Sequence, residues 1–499
     1  MWWKKMNGPN IPMKQRGLVL QGGGSLGAYE AGAYRALYEW LSKKDKDEGK
    51  KKSATFDIIA GTSIGAMNAA ILVSYVIENN TFEGSAERLL EFWRYLSKQS
   101  FVDINPWFKG WWDGLHRMNK AFATGEAARR YYSSREFEIF GVPNVFMPLT
   151  PQQDSRFLDM YGNSWYRFSN EPLKQSLEKF AKFPIATSYE DDQPRLLLVA
   201  VDVADGLPVT FDSYANEDGS RKTEYGRYVS YDGKEIGFER VIRYDKGITS
   251  DHVMASGSLP VNFDYASMEV DNCDPNLINM DAKKQNQSSA DKNQRINIES
   301  SSDIYYHKSK RYFWDGGLMS NTPLSQLVLH HRKYWYKIMG VRDKVPALGI
   351  CIINVHPKIQ EHIPTDHDGV LNRSNDITFS DRSHVEEEAL LLMSDYMDLV
   401  EDLIKTAKKN GIKDDVINQL LNRQTKYHGQ LKPRKYKEIF EGRYEIADVI
   451  RIERKNDEHT ISDKTFDFSL GTIKKLLKDG YDETNDFAHS LVSMNSDKK

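Results

Sequence analysis

The chain has 499 residues, 40% hydrophobic and 28% charged, with a formal net charge of −3. That length allows several domains or one large core with insertions, and the near-neutral mix of acids and bases gives no electrostatic footprint for nucleic acid. Two cysteines, Cys273 in a polar loop-like stretch and Cys351 in an apolar run, supply neither a disulfide framework nor a zinc-ligand spacing.

The opening "MWWKKMNGPNIPMKQRG" lacks the apolar core of a secretory signal. The longest nearly apolar run, "AMNAAILVSYVI" from Ala66, falls short of the ~20 residues that span a bilayer. The expectation is a cytoplasmic or peripherally membrane-bound protein; export without an N-terminal signal would leave no trace here. Leu18-Val19-Leu20 reads as a buried strand, followed by a glycine turn and a helix with Leu26, Tyr29, Ala33, Leu37 and Trp40 at helical spacing. "FDIIA" is a second strand, "GTSIG" a turn and "AMNAAILVSYVI" a helix, so two strand–turn–helix units predict a parallel α/β sheet. Residues 81–150 read as mostly helical and hold an aromatic cluster, Trp107, Phe108, Trp111 and Trp112. That cluster fits a cap or core helix, or a membrane-interface anchor.

Further along, "RLLLVAVDVADG" from Arg195 is a buried strand, and "EYGRYVSYDGKEIGFERVIRY" has the Asp-Gly turn and alternation of a hairpin. "DHVMASGSLP" from Asp251 is a short helix ending in a turn, and residues 270–303 form a polar insertion read as a mobile loop. "ALGICIINVHP" from Ala347 is another core strand. A long amphipathic helix starts at Ser383, with Gly411 as its stop. Its Leu390, Leu391, Met393, Leu399, Leu403 and Ile404 are expected to pack on the core, or to pair two copies as a homodimer. "EIADVIRIER" from Glu445 is a strand and the tail is helical. The expected division is an arm over 1–15, a main domain over 16–357 and a mainly helical extension over 358–499.

The pattern G-x-S-x-G occurs twice, as Gly61-Thr62-Ser63-Ile64-Gly65 and as Gly23-Gly24-Ser25-Leu26-Gly27. One such match arises by chance in about one chain in six of this length, so context decides. Ser63 sits between a buried strand and a helix, as at a strained nucleophile elbow, although an idle β–α turn has the same outline. Gly22-x-Gly24-x-x-Gly27 also fits the dinucleotide fingerprint, but the second strand ends in Ala60-Gly61 and not in the ribose-binding acid of an NAD site. Consecutive Gly22, Gly23 and Gly24 also suit an oxyanion cradle at a helix N-terminus. A serine needs a base, and Asp315 in "WDGG", at a strand end before Gly316 and Gly317, is placed to reach the elbow from a neighbouring strand.

Together and in this order, "LVLQGGGSLGAYEAGAYRAL", "GTSIGAMNAA" and "WDGGLMSNTPL" closely resemble the patatin-like phospholipases; "ASGSLPVNFDY" from Ala255 resembles a further segment of the family. The resemblance covers residues 16–356. It implies a three-layer α/β/α fold and a Ser–Asp dyad without a catalytic histidine. Ser63 would be the nucleophile, Asp315 the general base, and Gly22, Gly23 and Gly24 the oxyanion hole, with Gly27, Gly61, Gly65, Gly316 and Gly317 supporting the motifs. The implied substrate is a phospholipid or lysophospholipid at a membrane surface, and neither metal nor cofactor is called for. Many members carry Arg or Lys after the glycine run where this chain has Leu26, which removes one positive charge near the cradle. Competing readings are a Ser63–Asp315–His356 triad, matching α/β-hydrolase chain order, and a non-catalytic lipid-binding or NAD-binding protein. Acyl transfer to an alcohol instead of water would use the same acyl-enzyme.

Overall fold

The computed structural model describes residues 11–49, 56–100, 125–149, 166–231, 234–273, 307–425, 434–455 and 461–496. The aromatic cluster at 107–112 and nearly all of the polar insertion lie outside them. The elements in order are β1 (Lys14–Leu20), α1 (Gly27–Asp47), β2 (Ile58–Thr62), α2 (Ile64–Asn79), α3 (Ser85–Leu96), α4 (Gly125–Phe140) and α5 (Glu171–Phe180). Next come β3 (Arg195–Asp202), β4 (Leu207–Asp212), β5 (Lys222–Tyr231), β6 (Lys234–Arg243), α6 (Ser250–Ser256), β7 (Ala266–Cys273) and β8 (His307–Asp315). The principal later elements are α7 (Leu324–Lys333), β9 (Ala347–Asn354), α8 (His367–Phe379), α9 (Ser383–Lys409), β10 (Ile446–Glu453) and α10 (Leu470–Ser496). Cys273, read as a loop residue, closes strand β7.

One sheet of ten strands runs β10-β9-β1-β2-β3-β8-β7-β6-β5, with β4 also pairing with β3. The first five strands are parallel, as the two strand–turn–helix units predict. The remainder is antiparallel, including the Asp-Gly hairpin of β5 and β6. Successive strand residues face opposite sides, and the core divides accordingly. Leu18, Leu20, Ile59, Leu196 and Leu198 pack with α1, α2 and α3; Val19, Ile58, Ala60, Leu197 and Ile350 pack with α7 and Trp335. This is a mixed sheet between two helical layers.

Segment 358–499 is built into that core. Strand β10 pairs in parallel with β9, and α10 lies along α1. A Cβ on Gly32 would stand 2.0 Å from the Leu477 carbonyl oxygen, and one on Gly480 would stand 2.1 Å from that of Tyr29. These two glycines allow backbone-to-backbone contact, which the hydrogen bond from the Tyr29 hydroxyl to Glu483 (2.8 Å) reinforces. Helix α9 meets the core with only part of the apolar set expected to pack there. It packs through Leu390, Ser394 and Met397 while Leu391, Met393, Leu399 and Leu403 are exposed, because apolar residues occur on both sides of the helix and only one side meets the core. No helix among the described residues is long and apolar enough to cross a membrane.

Candidate active site

Strand register brings Ser63 and Asp315 together. Along one side of β3, Thr62 of β2 pairs with Val199 and Asp315 of β8 pairs with the next residue, Ala200. The opposite side of both Val199 and Ala200 is taken by β4. Strand β8 is therefore not a neighbour flanking β2. It comes down the same edge of β3 from the other direction, and the two strands meet tip to tip. Gly316 permits the meeting: its Cβ would stand 2.2 Å from the Val199 carbonyl oxygen and 3.1 Å from the Thr62 methyl.

Ser63 caps α2 with φ 55° and ψ −126°, a conformation that L-residues hold only when their surroundings impose it. The flanking glycines make the turn sterically possible. A Cβ on Gly61 would lie 2.3 Å from the Gly65 carbonyl oxygen, and one on Gly65 would lie 2.5 Å from that of Leu20. The Ser63 N–H donates to Ser256 Oγ (2.9 Å), whose hydroxyl donates to the Val199 carbonyl (2.6 Å). Two residues on, the Ser258 carbonyl accepts the Asp315 N–H (2.9 Å). The "ASGS" turn thus braces both sides of the pair.

Asp315 is 3% exposed. Burial raises its pKa to about 6, while the Ser63 hydroxyl and the Gly317 N–H, at 2.7 Å, pull it back by bonding the ionised form. The glycine loop lies directly over the elbow: a Cβ on Gly22 would stand 2.9 Å from Ser63 Cβ and 2.4 Å from Asn321 Oδ1. Gly22 donates a long hydrogen bond to the Asn321 carbonyl (3.4 Å), and Asn321 Nδ2 donates back to the Gly22 carbonyl (3.2 Å). The N–H groups of Gly23 and Gly24 have no acceptor among the described residues, as expected where a helix begins. They stand at the positive end of α1.

The other G-x-S-x-G serine has a structural place. Ser25 is buried and its hydroxyl donates to the Lys464 carbonyl (2.7 Å). Beside it Gly24, at φ +56°, packs against Thr465, whose carbonyl oxygen would be 2.4 Å from a Cβ there. Gly27 closes on Ile64 and Trp93, and Leu26 is buried in the core. His356 does not meet Asp315. Its Nδ1 bonds Asp376 (3.2 Å), and Lys464 Nζ binds the same carboxylate oxygen. Burial pushes the Asp376 pKa up, but these two partners outweigh it and hold the carboxyl ionised. Burial lowers Lys464 to about 8.

A cavity of about 330 Å³ opens from Ser63, Asp315 and the glycine loop, at the lower end of the ~300–1,000 Å³ usual for small-molecule sites. Met67, Phe146, Leu259, Phe263, Phe466 and Phe468 give it an apolar wall, and His356, Lys464 and Arg167 also line it. The sequence reading missed Asn321, Lys464, Thr465 and Arg167. Asn321 lies in the "WDGGLMSNTPL" motif; the other three carry no local signal.

A family model for patatin-like phospholipases matches residues 18–328. The chain belongs to this family. Patatin-like phospholipases are generally lipid acyl hydrolases that act on lipid substrates, and the mixed sheet between helical layers is consistent with their α/β/α fold. Among curated proteins, none matches this patatin-like chain. Among solved structures, VipD from Legionella pneumophila is similar at 13% identity, over 96% of this chain and 67% of that one, with a TM-score of 0.29. So low an overlap bears on neither fold nor function.

Proposed function

We propose that this patatin-like protein cleaves fatty-acyl esters of phospholipids or lysophospholipids through a Ser63–Asp315 dyad, from the cytoplasm or a peripheral position on a membrane. The observation that carries the reading is Ser63 at a positive-φ apex with its hydroxyl against the buried Asp315 carboxylate. Ser63 Oγ attacks the ester carbonyl while Asp315 takes the hydroxyl proton. Of the three glycines expected to form the oxyanion hole, Gly23 and Gly24 bind the oxyanion through their N–H groups, while Gly22, whose N–H is engaged by the Asn321 carbonyl, shapes the loop. The tetrahedral intermediate collapses with the Asp315 proton passing to the departing alkoxide, leaving an acyl-enzyme on Ser63. Water, deprotonated by Asp315, attacks that ester, releases the fatty acid and returns the proton to Ser63. A base of pKa about 6 is ionised at neutral pH yet basic enough to share a proton in the transition state.

The test is fluorophosphonate labelling of purified protein with Ser63→Ala and Ser25→Ala in parallel, followed by phospholipid hydrolysis with Asp315→Asn. Labelling lost only in Ser63→Ala is the expected result. Labelling that survives Ser63→Ala removes Ser63 as nucleophile, and an unlabelled native protein favours a lipid-binding role instead.

A further inference from the structure

Arg167 lines the same cavity as Ser63. Its backbone is pinned: the N–H donates to the Val261 carbonyl (3.2 Å), its own carbonyl accepts from Leu149 N–H (3.2 Å), and Phe168 N–H next to it donates to Asn262 (2.8 Å). Its side chain is exposed, and its guanidinium has no ion pair or hydrogen bond among the described residues. The other charges on this wall are already matched. Lys464 is held by Asp376, and Glu138 and Asp463 both face Arg135, at 2.7 and 3.7 Å. Leu26, beside the glycine loop, is buried and adds no charge. The cavity thus joins an apolar wall to a single uncommitted guanidinium among the described residues. That combination suits a ligand with a hydrocarbon tail and an anionic head. A guanidinium fork matches a phosphate's oxygens two at a time.

We propose that Arg167 receives the phosphate of a glycerophospholipid whose acyl ester lies at Ser63, so that it selects phosphate-bearing esters over neutral ones. This rests on the Ser63–Asp315 reading for where the ester sits. Arg167 is a binding residue here and takes no part in bond-making.

The test compares native protein, Arg167→Gln and Arg167→Lys. The probes are a short-chain ether-linked phosphatidylcholine and the corresponding ether-linked diglyceride; neither can be hydrolysed, so binding is read without catalysis. Loss of a charge-assisted hydrogen bond at an exposed site weakens binding by about tenfold. Arg167→Gln is expected to weaken the phospholipid by that factor, leave the diglyceride within about twofold, and be partly rescued by Arg167→Lys. Equal weakening of both lipids, or undiminished phospholipid binding, overturns the proposal. Fluorophosphonate labelling on the same preparations reports on Ser63 separately: failure there with a phosphate-selective loss at Arg167→Gln sinks the catalytic reading and leaves the headgroup contact standing.

Discussion

Replacing Asp315 by Asn should stabilise the protein at neutral pH while abolishing its turnover. The carboxyl moves from an ordinary value of 3.8 to about 6 on burial. A group whose pKa is higher in the folded state favours folding when protonated. Its contribution is complete below about pH 4 and is lost as pH rises through about 6. The difference corresponds to about 3 kcal/mol of destabilisation at pH 8 and about half that at pH 5. Asn never ionises, and its Oδ1 can still accept the Gly317 N–H that Asp315 accepts at 2.7 Å. Denaturant unfolding at the two pH values should therefore show Asp315→Asn ahead of the native protein by up to about 3 kcal/mol at pH 8, with a smaller lead at pH 5. Hydrolysis should fall about 10²- to 10⁴-fold, and native kcat/KM should climb with pH to a plateau above about 6. A stability difference that is independent of pH, or a variant less stable at pH 8, would refute the reasoning that burial, opposed only by Ser63 and Gly317, governs this carboxyl.

Three further outcomes follow from the same geometry. Ser63→Gly should be more stable than Ser63→Ala by about 1 kcal/mol in denaturant unfolding, because glycine relieves the positive φ and alanine does not. Gly22→Ala places a Cβ 2.4 Å from Asn321 Oδ1 and 2.9 Å from Ser63 Cβ, so the loop must shift; kcat should drop about 100-fold or more, the scale of a lost oxyanion donor. His356→Gln should keep fluorophosphonate labelling and lose less than the ~100-fold of a missing base, since His356 bonds Asp376 and not Asp315; a loss as deep as that of Ser63→Ala would restore the triad reading.

The motifs legible in the sequence are those where backbones touch. Gly61 is required by the Gly65 carbonyl within its own turn, while Gly65 and Gly316 are required by the Leu20 and Val199 carbonyls of other strands; each glycine still sits at a fixed spacing from Ser63 or Asp315, so the spacing locates the elbow and the strand end. Which of two identical serine patterns faces the cavity is not local. Ser25 is settled by a carbonyl 439 positions away in sequence, and the approach of Asp315 by the alternation of partners along one edge of β3. Amphipathicity misled for α9, whose apolar residues outnumber those the core receives. Arg167 had no signal at all, because its interest lies in lacking a partner among the described residues, and partners are visible only in three dimensions.

The order in which the chain is made has a consequence for when a site of this kind could work. Residues 22–63 leave the ribosome early, but the surface that seats their loop arrives late: Lys464 and Thr465 hold Ser25 and Gly24, β10 extends the sheet beyond β9, and α10 covers α1. Until residues 464–480 emerge, only the Gly22 end of the glycine loop is held, by Asn321; its Gly24–Ser25 end has no seat, and the α1 face that meets α10 stays wet. Nascent chains would therefore be silent toward esters through most of synthesis, and chains stopped before residue 464 would present a greasy, unfinished flank of the kind that chaperones and proteases recognise.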